Sequence, residues 1–388
     1  MVCRLNEVVQ ILAGLIGYWP SALAEFRQPQ MTNSSKPAVE ISLYTHPFPH
    51  IRLHCQATII STFTSSNIST KLYHLLTHFN MSRPTVFITS ATGTQGYALA
   101  KQVCQLGWGA HATTRNTDTP TAKALQDIGV QLTKGDWDNE AALKASISGC
   151  TLLFLNTLPN LAVANLEQTQ CKLILSLAKA AGVSHVVYAS TFGANDPELI
   201  TDWDPNNIVG QVILSKHAIE QAVRSAGFQT WTILRPGFFM ANFLEPKVRM
   251  YGGLNKTGVW TTALTPETDL PLVDQEDIAR FVMAAFQDPR KFSGAEIELA
   301  SELKKPEECM KILGAATGRD IRAKFLSDEE IAEQKSSKPS ISGQLAMRNA
   351  AKFVDIPKTK SWGVAMGTFE EFLKRERKAV EETYADLK

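Results

Sequence analysis

Two glycines three residues apart, Gly93 and Gly96 in the run Ser90-Ala91-Thr92-Gly93-Thr94-Gln95-Gly96, are the residues of this chain best suited to hold a phosphate. Lacking a Cβ, they let main-chain amides approach a pyrophosphate closely, and a helix starting there adds unpaired N–H groups and the positive end of its dipole. The run follows the β-branched and aromatic stretch Thr85-Val86-Phe87-Ile88 and precedes a helical pattern, which is the strand, turn and helix of a dinucleotide-binding unit. Ser90 stands where the usual spacing has its first glycine.

The rest of a dinucleotide would meet the ends of the strands that follow. Where an NAD site carries an acid for the adenosine ribose, this chain reads Thr113-Thr114-Arg115-Asn116, with no acid before Asp118. Arg115 offers a planar donor fork to a 2′-phosphate, with Thr114 and Asn116 as neutral supports, so NADP(H) is the expected cofactor. The plainer alternative is a surface arginine after a strand. Asp136, in Gly135-Asp136-Trp137, is placed to accept from an adenine amino group, and Asn156-Thr157-Leu158 ends the next strand near the nicotinamide half. Ordinary loop chemistry would also account for either.

Positioning such residues requires a sheet. Leu99, Val103 and Leu106 share one face of a helix predicted over 95–106, with Gly107 as its stop. Strands follow at 110–114, 130–132, 151–157, 183–191 and 230–234, alternating with helices at 120–128, 138–147 (capped by Asp138), 160–181 and 208–226. The run Leu152-Leu153-Phe154-Leu155 is apolar without interruption, as in a parallel strand covered on both faces. Six strands alternating with helices predict an α/β fold, a doubly wound parallel Rossmann sheet, over 83–236. A helix at 274–286 and a strand at 295–299 return to it. Residues 237–273 mix glycine, proline and aromatics and read as loops covering a ligand cleft. With 301–388 they make a smaller, closely packed C-terminal lobe for substrate or partner, which holds a helix at 306–317 and ends in a charged helix with a solvated face.

Composition narrows the function classes. A net charge of +1 over 388 residues gives no electrostatic footprint for direct nucleic-acid binding, and no uninterrupted apolar stretch reaches membrane-spanning length. The six cysteines are scattered, with no ligand-like spacing, so no metal site is expected and the thiols suit a reducing compartment. Residues 1–82 read as a poorly structured extension, or as a segment outside the mature protein. The first eighty hold five of the eight histidines, only three acids and a Ser/Thr-rich run without periodicity. His46, His50 and His54 would align on a helix, but Pro47 and Pro49 break it. The stretch from Val8 to Trp19 faintly imitates a secretory signal. Export would part the protein from its nucleotide, so the expected location is the cytoplasm, with the nucleus as a second.

Taken together, Ser90–Gly96, Thr114-Arg115-Asn116, Gly135-Asp136, the segment from Cys171-Lys172 to His185-Val186-Val187-Tyr188, and Leu234-Arg235-Pro236-Gly237-Phe238-Phe239-Met240-Ala241-Asn242-Phe243 resemble the NmrA-like branch of the atypical short-chain dehydrogenase/reductases. The resemblance covers roughly 83–375. It implies a Rossmann core holding NADP(H) through Ala91, Thr92, Gly93, Thr94, Gln95, Gly96, Arg115, Asp136, Thr157, Lys216 and the segment Phe239, Met240, Ala241 and Asn242. The family includes NADPH-sensing regulators and reductases, among them fungal secondary-metabolism enzymes and isoflavone-reductase-like proteins.

Short-chain dehydrogenases carry Tyr-x-x-x-Lys, in which the lysine lowers the tyrosine pKa for proton transfer. Here Val212 replaces the tyrosine before Lys216. Lys216 is left to hold the nicotinamide ribose or, when desolvated, to act as acid or base, and an i,i+4 pair with Glu220 is the structural alternative. Ser190 occupies the strand end where dehydrogenases place a substrate-orienting hydroxyl, or else makes a turn bond. Lys216 and Ser190 are therefore the candidate catalytic residues. His217 and Tyr188 are weaker proton donors, because His217 points about 100° away on its helix and Tyr188 suits a strand core. Phe238, Phe239 and Phe243 either wall a nicotinamide and substrate pocket or form the core of the lobe. Two functions follow: an NADP(H)-dependent oxidoreductase acting on a hydrophobic carbonyl or enone, and a non-catalytic NADP(H)-responsive co-regulator acting through a protein partner.

Overall fold

The computed structural model describes Ala22–Glu25, Ser42–Thr45 and residues 83–387 other than 161, 164 and 336. The chain forms two units, 1–82 and 83–388. In the first, β1 (Ala22–Glu25) and β2 (Ser42–Thr45) pair antiparallel. The expectation of a poorly structured extension, with its histidines, otherwise lies outside the described residues.

The second unit begins β3 (Thr85–Ile88), α1 (Thr94–Gln105), β4 (Gly109–Thr114), α2 (Pro120–Asp127), β5 (Gln131–Lys134), α3 (Glu140–Ile147), β6 (Leu152–Leu155), α4 (Leu166–Ala180), β7 (His185–Ala189), α5 (Ile208–Ser225) and β8 (Thr230–Pro236). It continues β9 (Phe238–Phe239), α6 (Leu254–Thr257), β10 (Val259–Thr262), β11 (Leu270–Val273), α7 (Gln275–Gln287), β12 (Ala295–Leu299), β13 (Glu302–Lys304), α8 (Pro306–Thr317) and β14 (Arg322–Phe325). Helices α9 (Asp328–Lys335), α10 (Pro339–Met347), α11 (Ile356–Ser361), α12 (Phe369–Arg375) and α13 (Arg377–Thr383) complete it.

Seven strands in the order β12-β8-β7-β6-β3-β4-β5 form one sheet, every pairing parallel. The chain runs outward from β3 through β4 and β5, then resumes on the other side of β3 with β6. Strand periodicity explains the two helical layers. Val86, Ile88, Leu152, Phe154, Val187 and Ala189 face a cluster with Leu99 and Val103 of α1 and Ile278 and Phe281 of α7. Their neighbours Phe87, Leu153, Leu155, Val186 and Tyr188 face the opposite cluster, with Leu143 of α3, Ile174 of α4 and Ile219 of α5. Successive side chains point to opposite faces, so a strand with both faces covered must be apolar throughout.

Two helix starts differ from expectation. Asn139, not Asp138, caps α3, its Oδ1 accepting from the Ala142 amide at 3.0 Å. Helix α4 starts at Leu166 rather than near 160. Asn160 Oδ1 instead accepts from the amides of Ala162 and Val163, each at 2.9 Å. An asparagine carboxamide stabilises a turn as readily as a helix start.

Residues 237–273 are not all loop. Strand β11 joins β9 and β13 in a three-stranded sheet, and β10 pairs with β14. These strands have two to four residues and distant partners, Phe238 with Leu272 and Val259 with Arg322, so no local pattern announces them. They enclose an aromatic core of Phe238, Phe243, Tyr251, Trp260 and Phe369, with ring centroids 5.3–6.4 Å apart in the contacting pairs. The charged C-terminal segment breaks at Glu376 and buries Phe372, Leu373, Val380 and Tyr384 in this core.

The C-terminal segment is fastened to α7 through two buried acids. Asp274 caps α7 and is gripped by the Arg375 guanidinium, while Asp277 accepts from the Gly367 amide and pairs with Arg280. Burial pushes the Asp277 carboxyl up to about 6, assisted by Asp274 and opposed by Arg280. A carboxyl raised on folding gives its full stabilisation below the unfolded pKa and loses it as pH rises through the folded one. The denaturant midpoint of Asp277→Asn should therefore vary less than that of the parent between about pH 4 and about pH 7, with the parent losing relative stability as pH rises across that range.

Candidate functional site

The turn after β3 is built by hydrogen bonds to β6. Thr89 is fully buried, its Oγ1 donating to the Asn156 carbonyl at 2.9 Å and accepting the Asn156 amide at 2.6 Å. Ser90 adopts the left-handed φ of +50° that its missing glycine would have supplied, and its Oγ donates to the same carbonyl at 2.7 Å. That hydrogen bond offsets part of the strain a side chain meets in this region. Gly93 precedes α1 without a side-chain cap, and no acid lies in the helix's first turn. Gly96 packs directly on the turn: a Cβ there would stand 2.3 Å from the Ser90 carbonyl oxygen and 2.7 Å from the Ala91 Cα.

Beside this turn, at the carboxyl ends of β3, β4 and β5, lies a cleft of about 540 Å³. Thr92, Gly93, Arg115, Asn116, Asp136, Trp137 and Leu158, all predicted from sequence, line it. Arg115, Asn116 and Asp136 are exposed there, and Asn116 and Asp136 also turn their side chains to the amides of Asp118 and Asp138. The cleft contains Thr113 as well, whose buried Oγ1 has no hydrogen-bond partner. A buried hydroxyl left unpaired costs free energy unless a ligand satisfies it. The uncapped helix start, the close approach at Gly96 and the Thr113 hydroxyl together fit a nucleotide phosphate and ribose. A larger hollow of about 1000 Å³, between α8 and α12–α13, contains none of the predicted residues.

The other predicted residues lie outside this cleft. Ala91 is buried and Thr94 is exposed in the first turn of α1. Gln95 donates to Asn156 Oδ1 at 3.4 Å while its own buried Oε1 is unpartnered. Phe239, Ala241 and Asn242 are half-buried, but Met240 is fully buried in the aromatic core, so its side chain is withdrawn from any cleft. Phe238 and Phe243 belong to the same core.

Lys216 does not pair with Glu220. Its Nζ donates to the Thr157 carbonyl at 2.7 Å and to Glu167 Oε1 at 2.6 Å, and it lies 5.8 Å from the centre of the Tyr188 ring. Glu167, only 2% exposed, also accepts from Thr157 Oγ1 at 2.8 Å and Ser215 Oγ at 2.9 Å. Glu220 faces the other way, into a fork from Arg235 at 2.6–2.7 Å, with Arg224 at 2.9 Å. Ser190 donates its hydroxyl proton to Glu220 Oε1 at 2.6 Å, which leaves only lone pairs free on its Oγ. It therefore makes neither a turn bond nor a free donor. His217 Nδ1 is 2.6 Å from the Ala194 carbonyl oxygen, and Tyr188 is fully buried. The buried carboxylate Glu167 escaped sequence reasoning, and Glu220 was read only as a helix partner for Lys216; a lone acid within an apolar helical face was the available signal.

A parallel sheet whose first strand turns through glycines beside a cleft at its carboxyl edge defines a Rossmann-type α/β protein. The chain belongs to the NmrA-like family, whose model matches residues 82–373. A relative is the NmrA-like family domain-containing oxidoreductase malD of Malbranchea aurantiaca, 26% identical over 61% of this chain and 74% of that one. The NAD(P)H azoreductase of Xenophilus azovorans is 28% identical over 61% of this chain and 75% of its own. Among solved structures, NmrA, a negative transcriptional regulator in complex with NAD, superposes with a TM-score of 0.61 at 20% identity, covering 79% of this chain and 98% of that one. The NADPH-dependent quinone oxidoreductase QOR2 from Escherichia coli gives 0.56 at 21% identity over 75% of this chain and 98% of that one. Both have the same fold.

Proposed function

We propose that this chain is an NADP(H)-dependent oxidoreductase that reduces a hydrophobic carbonyl or enone-type small molecule in the cytoplasm. The observation that carries the reading is the cleft in which Arg115 and the unpaired Thr113 hydroxyl stand together at the end of β4, where an NAD site would carry an acid. Residues 83–236 with 274–300 hold the dinucleotide, and 237–273 with 301–388 form the lobe that shapes the substrate side. Bound there, the nicotinamide supplies the hydride. Thr92, Gly93 and the first amides of α1 take the pyrophosphate, Arg115 and Asn116 the 2′-phosphate, and Asp136 and Trp137 the adenine. Lys216 keeps one N–H for the nicotinamide-side ribose after its bonds to Thr157 and Glu167. The relative named as an NAD(P)H azoreductase supports an apolar acceptor, and the fungal relatives named as oxidoreductases support catalysis over regulation.

Arg115→Glu should weaken NADPH binding by about 10- to 100-fold, because a charge-assisted fork is replaced by a repelling carboxylate, and should change NADH binding little. Calorimetric titration with each nucleotide checks this; equal losses would remove the 2′-phosphate assignment. A second reading, a nucleotide-responsive regulator acting through a protein partner, is favoured by Val212 in the tyrosine position and by the commitment of the Ser190 proton to Glu220. NADPH consumption against quinones, azo dyes and enones, with Lys216→Ala as control, separates the two. Tight nucleotide binding without turnover of any of them would favour the regulator.

A further inference from the structure

We propose that Glu167 is a positioning residue, which orients Lys216 so that its remaining N–H meets the nicotinamide-side ribose of the bound dinucleotide. The inference rests on the cofactor reading above and deepens it.

An ammonium group has three N–H bonds on a flexible four-carbon stem, so left alone it has no preferred direction. Here two of the three are fixed by Glu167 Oε1 at 2.6 Å and the Thr157 carbonyl at 2.7 Å. The carboxylate cannot swing either. Oε1 also takes the Thr157 hydroxyl at 2.8 Å, and Oε2 takes the Ser215 hydroxyl at 2.9 Å, one residue before the lysine itself. Thr157 thus bonds to both members of the pair, through its hydroxyl to the acid and through its carbonyl to the base, and closes a ring. It lies at the carboxyl end of β6, directly after Asn156, whose carbonyl takes the hydroxyls of Thr89 and Ser90 from the glycine turn. The lysine is therefore tied to the same strand end as the phosphate turn, at the point where the strand order reverses and ligands of such folds bind. The Tyr188 ring, 5.8 Å from Nζ, occupies a further side.

A buried ion pair is weak evidence for stability, because desolvation of both charges offsets their attraction. Its value here is directional. Val212 supplies no hydroxyl beside the lysine, so the orientation comes from α4 instead.

Two probes separate orientation from general damage. NADPH reaches both halves of the site, whereas adenosine 2′,5′-bisphosphate carries only the adenosine side. Glu167→Gln should weaken NADPH about 10-fold and the bisphosphate less than about twofold, the loss of one aimed, charge-assisted hydrogen bond. In the double variant E167L/K216M, which removes both charges together, NADPH affinity should equal that of Lys216→Met alone, since the acid acts only through the lysine. Should E167Q not fold, Glu167→Asp, with its charge kept and its reach shortened, should show the same split between the two ligands. Equal weakening of NADPH and the bisphosphate, unchanged NADPH affinity in E167Q, or a double variant weaker than K216M would overturn the proposal. If the parent protein binds neither ligand, the cofactor reading itself fails and the inference falls with it.

Discussion

Gly96→Ala is expected to destabilise the protein by about 3 kcal/mol and to abolish measurable NADPH binding, an effect out of proportion to one added methyl group. The new Cβ would lie 2.3 Å from the Ser90 carbonyl oxygen and 2.7 Å from the Ala91 Cα. Both are backbone atoms, so no rotamer change relieves the contact. Either α1 moves away from the turn or the turn itself shifts. The turn is poorly able to shift, because Thr89 and Ser90 are bonded to the Asn156 carbonyl and Ser90 already occupies the left-handed region. Moving α1 separates Leu99 and Val103 from α7 and shifts the helix start to which the cofactor reading assigns the pyrophosphate. Gly343→Ala is the matched control. It lies in α10 with nothing within 4 Å of the added atom, and a helical alanine there should be neutral or stabilising by about 0.5–1 kcal/mol. Urea midpoints for the two variants, with NADPH titrations, make the comparison, and a Gly96→Ala protein as stable as its parent would contradict the packing described.

Parts of this architecture written in contiguous residues were legible in the sequence. The β6 run is apolar on both faces because two helical layers cover it, and α8 announces itself with proline at its first position and Gly318 in the left-handed conformation at its end. The cleft was legible for the same reason: Thr92-Gly93, Arg115-Asn116 and Asp136-Trp137 each follow a strand, and strand ends converge in such folds. What could not be read depends on pairings between distant segments. Lys216 and Glu220 are four apart on a helix, so local reasoning pairs them, yet each finds a better-buried partner from another element, Glu167 at 49 residues' separation and Arg235 at 15. The short strands β9, β10, β13 and β14 are likewise specified by their partners.

Arg235→Met is the second substitution expected to have a large effect, about 3–5 kcal/mol, because it breaks a buried ion cluster from its centre. The Arg235 guanidinium, 2% exposed, bonds to Glu220 through two nitrogens, to Glu298 at 2.9 Å and to Glu296. Removing it leaves Glu220, which has no exposure, with Arg224 as its remaining cation. Glu298 is the most sensitive neighbour. Even with Arg235 present, burial together with repulsion from Glu220 and Glu296 pushes its carboxyl up to about 7. A raised carboxyl contributes stability at low pH that is lost as pH rises through its folded value, and loss of the guanidinium moves that value further upward. The deficit of Arg235→Met relative to its parent should therefore be larger at about pH 8 than at about pH 6, and Glu298→Gln in the Arg235→Met background should narrow the difference. Urea unfolding of the three proteins at both pH values checks the sign. A deficit independent of pH would show that Glu298 is not coupled to the arginine as the geometry requires.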